Sequence, residues 1–307
     1  MDNKTVDDLF HAYINSYKVK ANLKESTVST YTYRYNCHLQ PYYGRLSPTK
    51  ITETSIIEYT NMLLKEHSAK TVRDILSLLN NILAYGKIDI MIYKPSVKVK
   101  EIGVLNDDGW DRLIRYCSTH LSYLEIGMLI VIFTGMRIGE ICALKRENID
   151  FGKGIIKIRS TMQRIKNLDQ NAKTKTKIIL DIPKSPKAER DIPVNAFLLN
   201  LFIYYYENLP ADAYLLTGKP DKFMEPRLVS YHYKKFLKKL DIEDINFHAL
   251  RHTFATHFYR ETHDTKALAD ILGHANVCTT LNTYVHADME NKRNLIEKTF
   301  IRYDKIS

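Results

Sequence analysis

Between Ala69 and Tyr85 the apolar residues Val72, Ile75, Leu76, Leu79, Ile82 and Leu83 recur at intervals of three and four. That spacing lines them along one side of an α-helix and is incompatible with a strand, whose faces alternate at every second residue. A helix with so broad an apolar side must bury it, and the segments around it supply the partners. Thr5 is placed to cap a helix over VDDLFHAYINSY, which carries Val6, Leu9, Phe10, Tyr13 and Ile14. Glu25-Ser26-Thr27 opens a second helix bearing Tyr31, Tyr35 and Leu39, which Pro41 and Gly44 are expected to break. Ile51 to His67 gives another helix. Residues 1–92 therefore read as a compact unit of four helices.

The periodicity stops after Tyr93. Residues 93–104 combine a Pro with several Lys and read as a linker, either a hinge or an ordinary loop between helices. Asn106-Asp107-Asp108 then caps a new helix, and Leu121 to Leu144 reads as two buried helices bent around Thr134-Gly135. Ile155, Ile156 and Ile158, and later Ile178, Ile179, Leu180 and Ile182, are apolar, β-branched runs split by charges. They predict a small sheet of two or three strands before the chain returns to helices beyond Val194. The expected class is mainly α with a small antiparallel β-sheet (α+β). The second domain spans 105–307 and ends in an amphipathic tail helix bearing Met289, Leu295, Ile296, Phe300 and Ile301.

Charge narrows the partner. Lys and Arg number 45 against 35 Asp and Glu, a net of +10. Such a balance favours a polyanion, nucleic acid or an anionic membrane surface. Residues 1–100 contribute 14 basic and 9 acidic side chains, so half of the excess lies in each part of the chain. No apolar run is long enough to span a membrane, no secretory leader opens the sequence, and Cys37, Cys117, Cys142 and Cys278 show no paired spacing. A reduced cytoplasmic protein is expected. There is no phosphate-binding Gly-Lys loop, no dinucleotide fingerprint and no nucleophile elbow; Thr217-Gly218-Lys219-Pro220 lacks the first Gly and the hydroxyl of a P-loop. His248 and His252 lie four apart, but Arg251 between them argues against a metal site. No cofactor is called for.

What remains is a set of His and Arg residues suited to holding an anion. In HALRH, His248 and Arg251 are three apart and share one helix face. TGMRIGE sets Arg137 just after a Gly-containing bend. LGH gives His274, and ten positions on stands Tyr284. Each is weak alone: an Arg pairing with Glu140 is ordinary structure, and the chain has 21 Tyr.

Together, the order TGxRxGE, HxLRH, LGH and Tyr resembles the tyrosine recombinase (phage integrase) family. The likeness extends to ICALKRENIDF after Arg137, to PKSPKAERDIPV, which resembles the family's β-hairpin, and to the helical first hundred residues, which resemble its core-binding domain. The resemblance implies a helical core-binding domain and a catalytic domain forming a C-shaped clamp on double-stranded DNA with inverted-repeat core sites. It implies that Arg137 and Arg251 grip the scissile phosphate, that His248 and His274 assist, and that Tyr284 is the nucleophile. Lys184 is the best match to the hairpin lysine, with Lys173, Lys175, Lys177 and Lys187 as rivals.

The residue types suit the chemistry the resemblance implies. A phenol needs a base and a positive field to attack near neutrality. Guanidinium groups offer fixed donors to a pentavalent phosphorus and stay charged at any working pH. DNA contacts are expected from Lys234, Lys235, Lys238 and Lys239 on YHYKKFLKKL, and from Lys20, Lys24, Thr27, Tyr31 and Arg34 around a helix start in the first domain, where backbone N–H groups bind phosphate. The resemblance further implies a homotetramer on DNA joined by the C-terminal tail, and allows an accessory DNA-bending or directionality protein. The chain is expected to start directly at the core-binding domain, without the extra arm-binding domain that many integrases carry. A mobile-element integrase, a chromosome-dimer resolver and a phase-variation invertase all fit, as bacterial or phage-encoded, nucleoid-associated proteins. The rivals of other classes are a non-catalytic DNA-binding protein and a type IB topoisomerase.

Overall fold

The computed structural model describes residues 4–16, 23–97, 103–169, 171–182 and 188–273, together with 293, 296 and 297. Two units divide the chain, one formed by 1–101 with 164–177 and the other by 102–163 with 178–307.

In the first unit α1 (Val6–Asn15) begins at Thr5, whose hydroxyl accepts the Asp8 N–H while the Asp8 carboxylate accepts the Thr5 N–H at 2.8 Å. This reciprocal cap satisfies two otherwise unpaired donors. The second helix starts as α2 (Glu25–Arg34), widens into one π-turn over Tyr35–Leu39 and continues as α3 (Gln40–Tyr43). The expected break at Pro41 does not occur. The π-turn shifts the hydrogen-bond register to five residues, as in the Gln40 N–H to Tyr35 carbonyl bond, and Pro41 then sits in the first turn of α3, where no donor is needed. α4 (Glu53–Glu66) and α5 (Ala69–Tyr85) complete the bundle. All six apolar residues that define the α5 pattern are buried, with Leu78 beside them. Each removes about 1.5–3 kcal/mol worth of apolar surface from water. Phe10 stacks on Tyr35 at 3.8 Å between ring centres.

The second unit opens with α6 (Asp107–Thr119), capped by Asn106 Oδ1 on the Gly109 N–H at 2.8 Å. α7 (Tyr123–Thr134) is apolar on all sides and buried accordingly. It ends at Gly135, in the left-handed region at φ 63°. α8 (Ile138–Ala143) follows. Strands β1 (Ile149–Asp150), β2 (Ile155–Ile158) and β5 (Arg190–Pro193) form an antiparallel sheet in the order β1-β2-β5, with Ile156 opposite Ile192. β3 (Thr161–Lys166) and β4 (Thr176–Asp181) form a separate two-stranded ladder. The Ile178-Ile179 run thus belongs to a different sheet from Ile155-Ile156, and its residues are only half-buried. α9 (Ala196–Tyr206), α10 (Pro226–Lys239), α11 (His248–Thr262) and α12 (Thr265–Leu272) complete the described part. Among the described residues no helix is long and apolar enough to cross a membrane.

Candidate active site

The site is assembled on the bend between α7 and α8. Gly135 makes the bend possible: an L side chain disfavours this φ, and a Cβ here would lie 2.4 Å from Phe254 Cδ1. Two residues on, Arg137 has extended backbone and stands at the N-cap of α8. Its side chain is 37% exposed, with Nη1 donating to Glu140 Oε1 at 2.8 Å. The Arg137 N–H donates to Glu140 Oε2, also at 2.8 Å. Glu140 therefore fixes Arg137 at two points and leaves one edge of the guanidinium open to solvent.

Arg251 lies one turn into α11 and is 2% exposed. Its Nη1 donates to the Gly135 carbonyl at 2.9 Å and its Nη2 to the Leu272 carbonyl at 2.7 Å. The second acceptor is at the C-terminus of α12, where unpaired carbonyls and the helix dipole favour a cation. Burying a guanidinium is costly unless its donors are paired, and these carbonyls supply that pairing.

His248 occupies the first position of α11 and is exposed. The protein packed around its ring disfavours the charged form, and the Arg251 and Arg137 charges add to that effect; Glu140 opposes it more weakly. These effects hold the pKa below the ordinary imidazole value and so favour the neutral ring, the form able to accept a proton. The structure thus brings Arg137, His248 and Arg251, which span more than a hundred positions, around the Gly135 bend.

Sequence reasoning missed Arg190. β5 alternates buried and exposed residues, and Arg190 takes an inward position. Its side chain is 6% exposed and grips Glu140 with both ends of its fork, Nη1 to Oε1 at 3.1 Å and Nη2 to Oε2 at 2.9 Å. Nε donates to the Ile271 carbonyl at 2.5 Å, and Nη1 also reaches the Ala188 carbonyl at 3.1 Å. Burial pushes the Glu140 carboxyl up, but the hydrogen bonds and charge of Arg190, followed by Arg137, overcome this and lower its pKa to about 2. The available signal was an Arg at a position where the alternation of RDIP calls for an apolar residue.

His274, Tyr284, Lys184, Lys187 and Lys20 lie outside the described residues, as do Met289, Leu295, Phe300 and Ile301 of the tail. Among the other hairpin lysines, Lys173 and Lys175 are exposed and Lys177 pairs with Glu25 at 2.5 Å. On α10 the four lysines lie away from the buried Val229, Tyr233, Phe236 and Leu237. Lys234 is tied to Asp244; Lys235 lies 4.6 Å from the centre of the Tyr231 ring, and Lys239 4.6 Å from that of Tyr116. Lys238 is exposed. At the start of α2, Lys24 is the N-cap, but the Thr27 N–H donates to the Lys24 carbonyl at 2.9 Å. That donor is engaged within the turn instead of facing outward for a phosphate. Tyr31 packs against the core, and Arg34 pairs with Asp74 at 3.2 Å.

Residues 104–291 match the phage integrase family, and residues 5–64 match the phage integrase N-terminal SAM-like domain. A tyrosine recombinase XerC-like protein of Caldanaerobacter subterraneus subsp. tengcongensis is 25% identical, over 95% of this chain and 82% of its own length. Transposase A of transposon Tn554 from Staphylococcus aureus is 30% identical, over 69% of this chain and 56% of its own. Among solved structures, the Tn1549 transposon integrase in complex with transposon right end DNA gives a TM-score of 0.74 at 21% identity, covering 96% of this chain and 99% of that one. The lambda integrase tetramer bound to a Holliday junction gives 0.65 at 17% identity, covering 94% and 80%. These two likenesses are of fold.

Proposed function

Because the chain belongs to the phage integrase family and is a tyrosine-type site-specific DNA recombinase, we propose that Tyr284 attacks a DNA phosphodiester held by Arg137 and Arg251. The phenolic oxygen bonds to phosphorus, the bond to the 5′-oxygen breaks, and a 3′-phosphotyrosine forms. His248 takes the phenolic proton, and Lys184 supplies one to the leaving oxygen. His274, the LGH histidine, assists in holding the phosphate. Rejoining reverses the sequence on a partner strand. The exchange conserves a phosphoester, so it needs no nucleotide triphosphate. The transition state spreads negative charge over the non-bridging oxygens, and the guanidinium donors stabilise it there.

The observation that carries this reading is the convergence of Arg251 on the Gly135 carbonyl, two residues from Arg137, with the His248 ring within electrostatic reach of both arginines. We assign residues 1–92 to gripping duplex DNA, 93–104 to the linker and 105–307 to catalysis. The Lys face of α10 supplies phosphate contacts. Strand exchange requires four active sites, and the C-terminal tail joins neighbouring subunits; Ile296, 61% exposed on a helical turn, suits such docking. The protein acts in the cytoplasm on inverted-repeat core sites, with an accessory DNA-bending protein at some of them. Likeness to the Tn554 and Tn916 transposases favours a mobile element as the substrate. Likeness to XerC proteins along nearly the whole chain favours chromosome-dimer resolution as the second reading.

The test is a nicked duplex carrying the protein's own site, selected from randomised DNA by binding to the full chain. The wild type is expected to trap as a covalent protein–DNA complex that Tyr284→Phe abolishes. A complex that persists in that variant overturns the assignment of the nucleophile. Relaxation of any supercoiled plasmid without site preference would point to the topoisomerase instead.

A further inference from the structure

Arg190 has no role in the mechanism above, yet it is a fully engaged charge in the interior of the same unit. At an inward position of β5 an apolar residue would fill the space without the cost of burying a guanidinium. Its contacts are distributed in an informative way. The fork covers both Glu140 oxygens, and the remaining acceptor directions of those oxygens are taken by the Arg137 N–H and Nη1. The carboxylate is therefore saturated by four donors, two from Arg137 and two from Arg190, and has a single orientation available to it. Arg190 Nε meanwhile holds the Ile271 carbonyl, adjacent to the Leu272 carbonyl held by Arg251. Two guanidinium groups thus secure consecutive carbonyls at the end of α12, directly before Gly273 and His274.

We propose that Arg190 is a positioning residue of the recombinase site, fixing the Arg137 guanidinium through Glu140 and the end of α12 through the Ile271 carbonyl. The inference rests on the phosphate-binding role assigned to Arg137. The groups facing Glu140 are Arg137 from the start of α8, Arg190 from β5 and His248 from α11. Without Arg190, burial acts on the carboxyl with only Arg137 hydrogen-bonded to it. Its pKa then moves upward, and a carboxyl that protonates more readily holds the Arg137 guanidinium less firmly.

The test is single-turnover cleavage of the nicked site duplex at saturating DNA, with bound DNA and folded protein measured in parallel. Arg190→Gln is expected to be slower than wild type by about tenfold at about pH 6, with the deficit shrinking toward about pH 8. The double variant Glu140→Gln/Arg190→Gln should show a deficit that no longer varies with pH. Arg190→Lys keeps the charge but cannot span the carboxylate and the Ile271 carbonyl together; it should restore the wild-type pH profile while remaining slow. A pH-independent deficit in Arg190→Gln, or one that disappears after correction for bound and folded protein, overturns the proposal. If Arg190→Gln does not fold, Arg190→Lys decides, and a wild-type rate in that variant overturns it. Failure of the wild type itself to form the covalent complex would refute the recombinase site rather than the role of Arg190.

Discussion

Gly135→Ala tests the bend on which the site is built, and Gly154→Ala is its natural control. Both glycines have φ 63°, so a side chain costs each about 1–2 kcal/mol of backbone strain. They differ in space. A Cβ at 135 would lie 2.4 Å from Phe254 Cδ1 and 3.0 Å from Leu272 Cδ2, whereas one at 154 meets nothing closer than Leu199 Cδ2 at 3.5 Å. Forcing a methyl into the first position adds about 1–3 kcal/mol of overpacking. The expected losses are then about 2–5 kcal/mol for Gly135→Ala and about 1–2 kcal/mol for Gly154→Ala. The entropic gain from constraining the unfolded chain is common to both and cancels in the comparison. Urea unfolding followed by tryptophan fluorescence measures the difference cleanly. Trp110 is the single tryptophan of the chain, is buried, and lies in the unit that contains both glycines. With a slope of about 2 kcal/mol per molar urea, the midpoint should fall by about 1–2.5 M for the first variant and by about 0.5–1 M for the second. Equal shifts would refute the claim that close packing of α11 and α12 against the bend, rather than backbone conformation alone, requires glycine.

Three further outcomes are expected. Glu140 has a folded pKa lowered from 4.5 to about 2, so its ionised form contributes stability above about pH 4.5 that is lost as pH falls toward 2, a total of about 3 kcal/mol; Trp110-monitored unfolding of Glu140→Gln should be weaker than wild type at neutral pH and flatter across that window, and parallel curves would contradict it. His248 titrates below the usual imidazole value, so the acid limb of wild-type cleavage that is absent from His248 variants should lie below pH 6.5; a limb above 6.5 would remove His248 as the proton acceptor. On α10, Lys238→Ala should reduce the slope of log affinity against log salt by about 1, whereas Lys234→Ala, already paired with Asp244, should change it less; the reverse order, read from DNA binding across a salt series, would show that Lys234 leaves its partner on binding.

The helices of the first unit, the cap at Thr5 and the Gly135 bend were legible because each is written within a few consecutive residues: a period of three and four, a hydroxyl three positions before a donor, a glycine after an apolar run. The motif order around Arg137, His248 and Arg251 was legible for the same reason, since each motif is local. What sequence could not supply was the partnership among them. Pro41 stays within helical structure because a π-turn precedes it, and the Thr27 N–H is spent on Lys24; both are outcomes of backbone register that residue types do not encode. Ile155-Ile156 and Ile178-Ile179 look alike as runs and fall in different sheets, because strand pairing depends on which distant segment returns to each edge. Arg190 is the sharpest case. Nothing within its own neighbourhood tells whether an inward arginine is tolerated or employed; only folding, by carrying β5 against a carboxylate fifty positions earlier and the end of a helix eighty positions later, gives that charge its acceptors. Propensity and patterning act over a few residues and so belong to the sequence, whereas the pairing of buried charges is a long-range condition that exists only once the core has closed.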